Sequence, residues 1–145
     1  MKRAVFVGLY LLVLIAAGFA QTSNAQCTVT VEITNIVVGG GKIYLAIFGS
    51  AEEFRRETPS AHYEYPDTRT SASLDITLPA GEYLMVAFQD ANGNQTLDRN
   101  ILGVPREIMG MTNYNGRGLP ARDFNRHKIT VNGSTGRISI GLFRI

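Results

Sequence analysis

Hydrophobic and polar residues alternate along the chain once its apolar N-terminus has ended. In "CTVTVEITNI", the residues Val29, Val31 and Ile33 alternate with threonine and glutamate. A period of two is typical of a β-strand with one face in the core and the other in solvent. The three glycines of "VVGGG" then predict a turn, since glycine adopts positive φ at no steric cost. We predict that this strand and the next one form a hairpin.

Five further segments are predicted to be strands. "KIYLAIF" (42–48) and "EYLMVAF" (82–88) are apolar on both faces, as central strands are, and "SASLDITL" (71–78) alternates. The two short segments "HKITV" and "GRISIGLF" follow near the C-terminus. The pair Asn132-Gly133 between them is a typical tight-turn sequence and predicts a second hairpin.

The segment "SAEEFRRETP" carries the one helical signal of the chain. Ser50 with Glu53 forms a capping box, and Pro59 closes a helix of about two turns. Six or seven short strands with one short helix predict an all-β fold, an antiparallel β-sandwich of the transthyretin-like or immunoglobulin-like kind. The irregular stretch 99–125 is predicted to be a long crossover. Its apolar residues should hold it against the sandwich; they are Ile101, Leu102, Val104, Ile108, Met109 and Met111.

The N-terminus has the pattern of a secretory signal peptide. Lys2 and Arg3 precede an apolar run over 4–17, and Ser23 with Ala25 predicts cleavage before Gln26. The alternative, an uncleaved anchor, is disfavoured because the run is shorter than the ~20 residues that span a bilayer. We therefore expect a signal peptide over 1–25 and a single domain over 26–145. That domain should be exported to the periplasm or beyond, with no transmembrane segment left.

The charge of the predicted mature chain is balanced but unevenly distributed. Residues 26–98 hold four basic and ten acidic side chains, whereas 99–145 hold eight basic and two acidic ones. A net charge of zero argues against a nucleic-acid partner. The asymmetry predicts that the two halves pack together and neutralise each other. The alternative is an anion-binding face built from Arg106, Arg117, Arg122 and Arg126.

Oxygen-bearing side chains recur at every second position of the loop "FQDANGNQTLDRN", which directly follows the apolar strand 82–88. Calcium takes six to eight oxygen ligands from carboxylates, amides, backbone carbonyls and water. The spacing is similar to the first nine positions of an EF-hand loop, although Gln95 stands where those loops have glycine and Ile101 where they have glutamate. We predict a calcium site formed by Asp90, Asn92, Asn94, Asp98 and the backbone carbonyl of Thr96.

Two carboxylates predict weak calcium binding, with a dissociation constant of ~10⁻⁴–10⁻³ M. The alternative is a turn without metal, because Asp, Asn and Gly are also the residues that tight turns favour. Both interpretations stay open at this point.

The segment "LPAGEYLMVAFQDANGNQTLDRNILGVPRE" also resembles a bacterial family of small exported proteins, the domain-of-unknown-function family numbered 2141. That family has the signature "GxYxVxVFHDxNGNxxLDxNxxGxPxE". The resemblance implies a transthyretin-like sandwich and brings no established activity. This chain departs from it at Gln89, where His is common, at Gln95, where Gly is common, and at Met109 and Met111, where aromatics are usual. The matching positions are Asp90, Asn92, Gly93, Asn94, Leu97, Asp98, Asn100, Gly103, Pro105 and Glu107.

The leading functional hypothesis is a non-enzymatic exported module. A second hypothesis is a carbohydrate or envelope-ligand binder that uses Tyr63, Tyr65, Tyr114 and Arg117, although the tyrosines of "HYEYP" would equally serve in packing. A hydrolase is the least favoured hypothesis, because the chain has two histidines and no "GxSxG" nucleophile turn.

Overall fold

The computed structural model describes residues 25–145, so the predicted signal peptide lies outside the described residues except for its last position. No helix of this part is long and apolar enough to cross a membrane. Eight strands and two short helices follow in order: β1 (Gln26–Thr34), β2 (Lys42–Phe48), α1 (Ala51–Arg56), β3 (Ala61–Tyr65), β4 (Ser71–Pro79), β5 (Gly81–Asp90), β6 (Met109–Met111), α2 (Phe124–His127), β7 (Ile129–Val131) and β8 (Arg137–Gly141).

The strands form two sheets, which confirms the predicted all-β sandwich. The first has the order β4-β1-β8, and the second has the order β3-β2-β5-β6, with β7 pairing the first residues of β5. The predicted central strands are central, since β2 and β5 pair directly with strands on both sides. One pairing differs from the antiparallel expectation, because β8 runs parallel to β1.

Alternate residues of both sheets form the main core. Val29, Val31 and Ile33 of β1 are fully buried, and they face Leu45 and Ile47 of β2 in the same apolar cluster. Substituting a buried Ile or Leu by Ala typically costs about 2–5 kcal/mol. The period-two pattern of β1 therefore both selects the strand conformation and supplies the stabilising contact between the sheets.

Both predicted hairpins are wrong. β1 pairs with β4 and β8, whereas β2 pairs with β3 and β5 in the other sheet. Likewise β7 pairs with β5, whereas β8 pairs with β1. The local turns do form: Asn132 Oδ1 accepts hydrogen bonds from the backbone amide and hydroxyl of Ser134. Turn residues reverse the chain, but the inner faces of the flanking strands decide which sheet each one joins.

The predicted helix is present as α1. Its N-cap residue Ser50 accepts a hydrogen bond from the backbone amide of Glu53 at 3.2 Å, as a capping box requires. The Glu53 carboxylate accepts from the amide of Gly49 at 2.7 Å, one residue before the cap. Helix α2 was not predicted, since its four residues are too few for a helical period. Asp123 caps it.

A second apolar cluster lies on the outer face of the five-stranded sheet. Tyr44, Phe48, Val86 and Phe88 point away from the main core and are covered by the helices and the crossover. Within the crossover, Met109 and Met111 are buried as predicted.

Ile101 and Leu102 do not hold the crossover against the sandwich, contrary to the prediction. They are 101% and 77% exposed. The reason is a tight turn: Asn100 Oδ1 accepts hydrogen bonds from the backbone amides of Leu102 and Val104, and so directs both apolar side chains outward.

Ion pairs join the acidic and the basic halves of the chain, as the charge asymmetry predicts. Four pairs among the described residues connect 26–98 with 99–145. They are Glu57–Arg99, Glu57–Arg122, Glu82–Lys128 and Glu32–Arg137. All have exposed or half-exposed partners, so each contributes about 0–1 kcal/mol to stability.

Candidate functional site

The loop after β5 is organised by a buried carboxylate. Asp90 is 2% exposed, and its two oxygens accept hydrogen bonds from the backbone amides of Gly93 (2.8 Å), Asn94 (3.2 Å) and Gln95 (2.7 Å). Hydrogen bonds to a charged acceptor are about twice as strong as neutral ones. Asp90 therefore curls the loop around its own side chain.

The amide side chains of the loop converge on its second carboxylate. Asn92 Nδ2 donates to Asp98 at 2.6 Å, and Asn94 Nδ2 donates to both oxygens of Asp98 at 3.1 and 3.2 Å. The amide oxygens accept from the backbone two residues further on: Asn92 from Asn94 and Asn94 from Thr96. Three of the side chains predicted to bind calcium are thus brought to one point.

Glu107 closes the loop from the far side. It is 6% exposed, and its two oxygens accept hydrogen bonds from the amides of Ala91 at 2.9 Å and Asp98 at 3.2 Å. The backbone of Arg106 also donates to the Asp98 carbonyl at 2.9 Å. The two ends of the loop are therefore joined through one buried side chain.

The oxygen set of this loop has the composition of a weak calcium site. Two carboxylates, two side-chain amides and nearby carbonyls are hard oxygen donors. Asp90 Oδ1 and Asp98 Oδ2 already accept two N–H groups each. Within residues 25–145, no three His, Cys, Asp or Glu side chains cluster closely enough to hold a metal. A cation here would thus depend on the amides of Asn92 and Asn94, whose nitrogens now face Asp98 and would have to turn.

The predicted sugar-binding residues lie in different places. Tyr63 and Tyr65 are on β3 and pack against the main core between the sheets. Tyr114 packs against Phe143 beyond the opposite edge of the same sheet, and its hydroxyl donates to the Gly118 carbonyl at 2.6 Å. β2 and β5 separate the two groups. Arg117 is exposed in the crossover.

Burial raises the pKa of four tyrosines on or next to the five-stranded sheet. It is the main cause at Tyr44, Tyr83 and Tyr114, and it raises the pKa of Tyr65 to about 12, with a smaller contribution from Tyr63. These hydroxyls therefore stay neutral at physiological pH. All four rings serve as packing groups, and the hydroxyls of Tyr83 and Tyr114 also donate to backbone carbonyls.

A groove of about 410 Å³ lies over the outer face of the five-stranded sheet. Its floor is apolar and consists of Tyr44, Ala46, Val86, Phe88 and Met111. One wall is α1 with Phe54, and another is the segment 119–122. The third wall is Leu97, in the second half of the candidate calcium loop, together with Pro105, which lies beyond the loop. No sequence signal identified this groove, because its lining comes from four strands, α1, the candidate calcium loop and the crossover.

A cluster of charges lies at the rim of this groove. Glu57 Oε1 faces Arg99 at 3.1 Å and Arg122 at 2.8 Å, so a single carboxylate oxygen serves two guanidinium groups. Glu64, which also lines the groove, pairs with Lys42 at 3.2 Å. The Glu57 cluster therefore carries one positive charge in excess.

One known family matches most of this chain. A family profile described as "Uncharacterized protein conserved in bacteria (DUF2141)" matches residues 31–139. The chain belongs to this family. The resemblance inferred from the loop sequence is thereby confirmed. No curated protein and no solved structure gave a significant match.

Most polar residues of the DUF2141 signature have a definable structural role in this chain. Asp90, Asn100 and Glu107 each accept at least two backbone N–H groups. Gly93 and Gly103 adopt φ of 76° and 77°, the left-handed region that glycine favours. The signature therefore builds a closed loop and aims none of these three acceptors into the groove.

The departures from the DUF2141 pattern also have structural consequences. Gln95 adopts φ of 63° at the position where glycine is common. Gln89 is 2% exposed and holds the turn between β1 and β2 through Val37 and Gly41. Met109 and Met111 line the groove, where the family usually has aromatic residues.

Proposed function

We propose that this protein is an exported, non-enzymatic β-sandwich module whose Asp90–Asp98 loop binds calcium weakly. Export is supported by the signal-peptide pattern of residues 1–25. A non-enzymatic role is supported by the placement of the acidic side chains. Asp90, Asp98 and Glu107 are directed to the loop's own amides and do not line the groove. The two acidic residues that do line it, Glu57 and Glu64, are held in ion pairs with arginine and lysine.

One observation carries the calcium proposal: Asn92, Asn94 and Asp98 meet at hydrogen-bond distance beside the buried Asp90. Turning the two amides would direct the oxygens of Asn92, Asn94 and Asp98 to one point, in exchange for the hydrogen bonds that the two amide oxygens accept from the backbone. Calcium accepts such mixed donor sets with irregular geometry, whereas magnesium demands a near-ideal octahedron and retains its waters. The site would therefore discriminate between the two ions.

Calcium in this loop would stabilise one wall of the groove. The loop and the groove lining share Gln95, Thr96 and Leu97. Two further lining residues, Arg99 and Pro105, come after the loop in the chain. A cation that fixes Asp90 relative to Asp98 would restrict the motion of this wall. The role of the metal would thus be structural.

The experiment is thermal unfolding of the purified protein in 2 mM calcium and in chelator. A dissociation constant of ~0.1 mM gives about 2 kcal/mol of stabilisation at 2 mM calcium. We expect the midpoint to rise by roughly 5–10 °C in calcium, and to rise much less in equimolar magnesium. Equal midpoints in calcium and chelator would overturn the calcium proposal.

Asp98→Asn is the discriminating variant. Asp90 holds three backbone amides whether or not calcium is present, so Asp90→Ala should destabilise the protein in both buffers. Asp98 receives only side-chain amides on its carboxylate, and Asn keeps its shape while losing the charge. We expect Asp98→Asn to remove the calcium-dependent shift. Asp75→Asn, on the exposed face of β4, is the matched control and should keep it.

A carbohydrate platform is the weaker proposal. Tyr63 and Tyr65 pack into the core, and the strands β2 and β5 separate them from Tyr114. Binding sugars with all three would require β3 to detach from β2. Glycan binding that is lost in both Tyr63→Ala and Tyr114→Ala would favour this alternative.

A further inference from the structure

We propose that the groove over the outer face of the five-stranded sheet binds a small amphiphile with an apolar chain and one carboxylate head. The carboxylate would interact with Arg99 and Arg122, and the chain would lie on the floor formed by Tyr44, Val86 and Phe88. This inference is independent of calcium binding, because none of its contacts involves Asp90 or Asp98.

The floor of the groove is built to contact an apolar body. Tyr44 and Phe88, which are paired across β2 and β5, stack with their ring centroids 5.5 Å apart and an interplanar angle of 19°, so the middle of the floor is aromatic. Ala46 is the one small side chain on the floor strand β2, between Tyr44 and Phe48. It leaves a depression where larger residues would fill the space. Burial of apolar surface stabilises a complex by roughly 25 cal/mol per Å².

The charges at the rim select the head group. Two guanidinium groups share one oxygen of Glu57, and a cluster with one excess positive charge attracts a single anionic group. Arg99 is 31% exposed, so its guanidinium is partly desolvated and interacts more strongly than a fully hydrated one. Arginine also binds carboxylates through two parallel N–H groups. A cationic or neutral head group would not form a charge-assisted hydrogen bond with Arg99 and Arg122.

The volume sets the length of the chain. At roughly 30 Å³ per heavy atom in a liquid-like environment, the groove holds about a dozen heavy atoms. Its volume of about 410 Å³ also falls within the usual range of small-molecule sites. A linear carboxylate of ten to twelve carbons matches this size. Leu119, 55% exposed at the edge of the groove, would contact the part of the chain that extends out of it.

The test is calorimetric titration of the protein with dodecanoate and with dodecanol, below the micelle concentration. Calcium-free buffer is used, because calcium precipitates long-chain carboxylates. We expect dodecanoate to bind in the micromolar range with 1:1 stoichiometry, and dodecanol to bind at least tenfold more weakly. Failure of the calcium proposal leaves this result unaffected.

Single substitutions separate the head from the chain. Arg122→Gln should weaken dodecanoate about tenfold and leave dodecanol unchanged. Arg117→Gln is the matched control, an exposed arginine of the same crossover that does not line the groove. Ala46→Phe should abolish binding of both compounds by filling the floor. Leu119→Lys is a second variant with an exposed side chain and should weaken dodecanol, in case Ala46→Phe does not fold.

Three outcomes would overturn the proposal. The first is no heat of binding with dodecanoate at its highest soluble monomer concentration. The second is equal affinity for dodecanoate and dodecanol, because the arginine cluster would then have no part. The third is a dimer in light scattering that Leu119→Lys dissociates, which would mean that a second copy of the chain covers the groove.

Discussion

The carboxylate of Glu107 accepts a hydrogen bond from the backbone amide of Asp98 at 3.2 Å, and its other oxygen accepts one from Ala91 at 2.9 Å. These amides are seven positions apart in the chain, and Glu107 is 6% exposed. Two of the hydrogen bonds that close the candidate calcium loop from outside thus pass through one buried side chain. This arrangement also fixes the direction in which the chain leaves the loop toward β6.

Glu107→Ala should lower the free energy of unfolding by about 2–4 kcal/mol, because it leaves two partly buried amides without acceptors. Glu107→Gln keeps one acceptor oxygen and presents an N–H₂ group to the other amide, so a loss of about 1–2 kcal/mol is expected. Urea unfolding measures both values. The loss should be the same in calcium and in chelator; a calcium-dependent loss would make Glu107 a metal ligand.

Gln95→Gly should stabilise the protein by about 0.5–1 kcal/mol. Gln95 adopts φ of 63°, and a left-handed backbone costs a side-chain-bearing residue roughly 1–2 kcal/mol. Part of this gain is offset by the greater freedom of glycine in the unfolded chain. Its backbone amide still donates to Asp90 after the change. Gln95→Ala is the control and should give no gain; equal stabilisation by both changes would rule out backbone strain as the cause.

The fold class follows from the period of the hydrophobic pattern, whereas the strand pairing does not. Val29, Val31 and Ile33 predict a strand with a buried face, and the structure confirms it. The glycines before Lys42 predict only that the chain reverses. Whether the next strand joins the same sheet depends on which faces bury each other, and that is a property of all the strands together. Both hairpin predictions fail for this reason.

The candidate site was likewise only partly predictable from the sequence. The alternation of Asp90, Asn92 and Asn94 predicts a curled loop, and these side chains do converge with Asp98. Glu107 was recognised as a signature position, but the spacing could not show which backbone amides it binds, because these lie nine and sixteen positions earlier. The groove was missed altogether, since it combines residues of β2, β3, β5, β6 and α1 with parts of the candidate calcium loop and the crossover.

Gln89→Met should lower stability by about 2 kcal/mol. The side chain of Gln89 accepts from the amide of Val37 at 3.0 Å and donates to the carbonyls of Val37 at 2.7 Å and Gly41 at 2.9 Å. Methionine fills a similar volume and makes none of these bonds; water can reach the exposed Val37 and limits the loss. Denaturant unfolding checks the value.

Gln89→His is the informative companion, because imidazole offers one donor and one acceptor at the position where the family commonly has histidine. It should cost less than Gln89→Met. A larger loss for His than for Met would mean that volume, and not hydrogen bonding, governs this position.

Tyr65→Phe should leave stability at neutral pH unchanged or raise it by up to about 1 kcal/mol, since the hydroxyl of Tyr65 is buried and has no hydrogen-bond partner. Burial raises its pKa to about 12, from about 10 when unfolded, so folding favours the neutral form. The stabilisation that comes from the raised pKa of Tyr65 is fully present below pH 10 and is lost as the pH rises through 12. The variant lacks this ionisation, and its advantage in unfolding experiments should therefore widen between pH 10 and 12. Tyr114→Phe is the contrast at neutral pH, because its hydroxyl donates to Gly118 and its removal should cost about 0.5–1.5 kcal/mol. A constant difference between Tyr65→Phe and the parent across this pH range would show that folding does not raise the pKa of Tyr65.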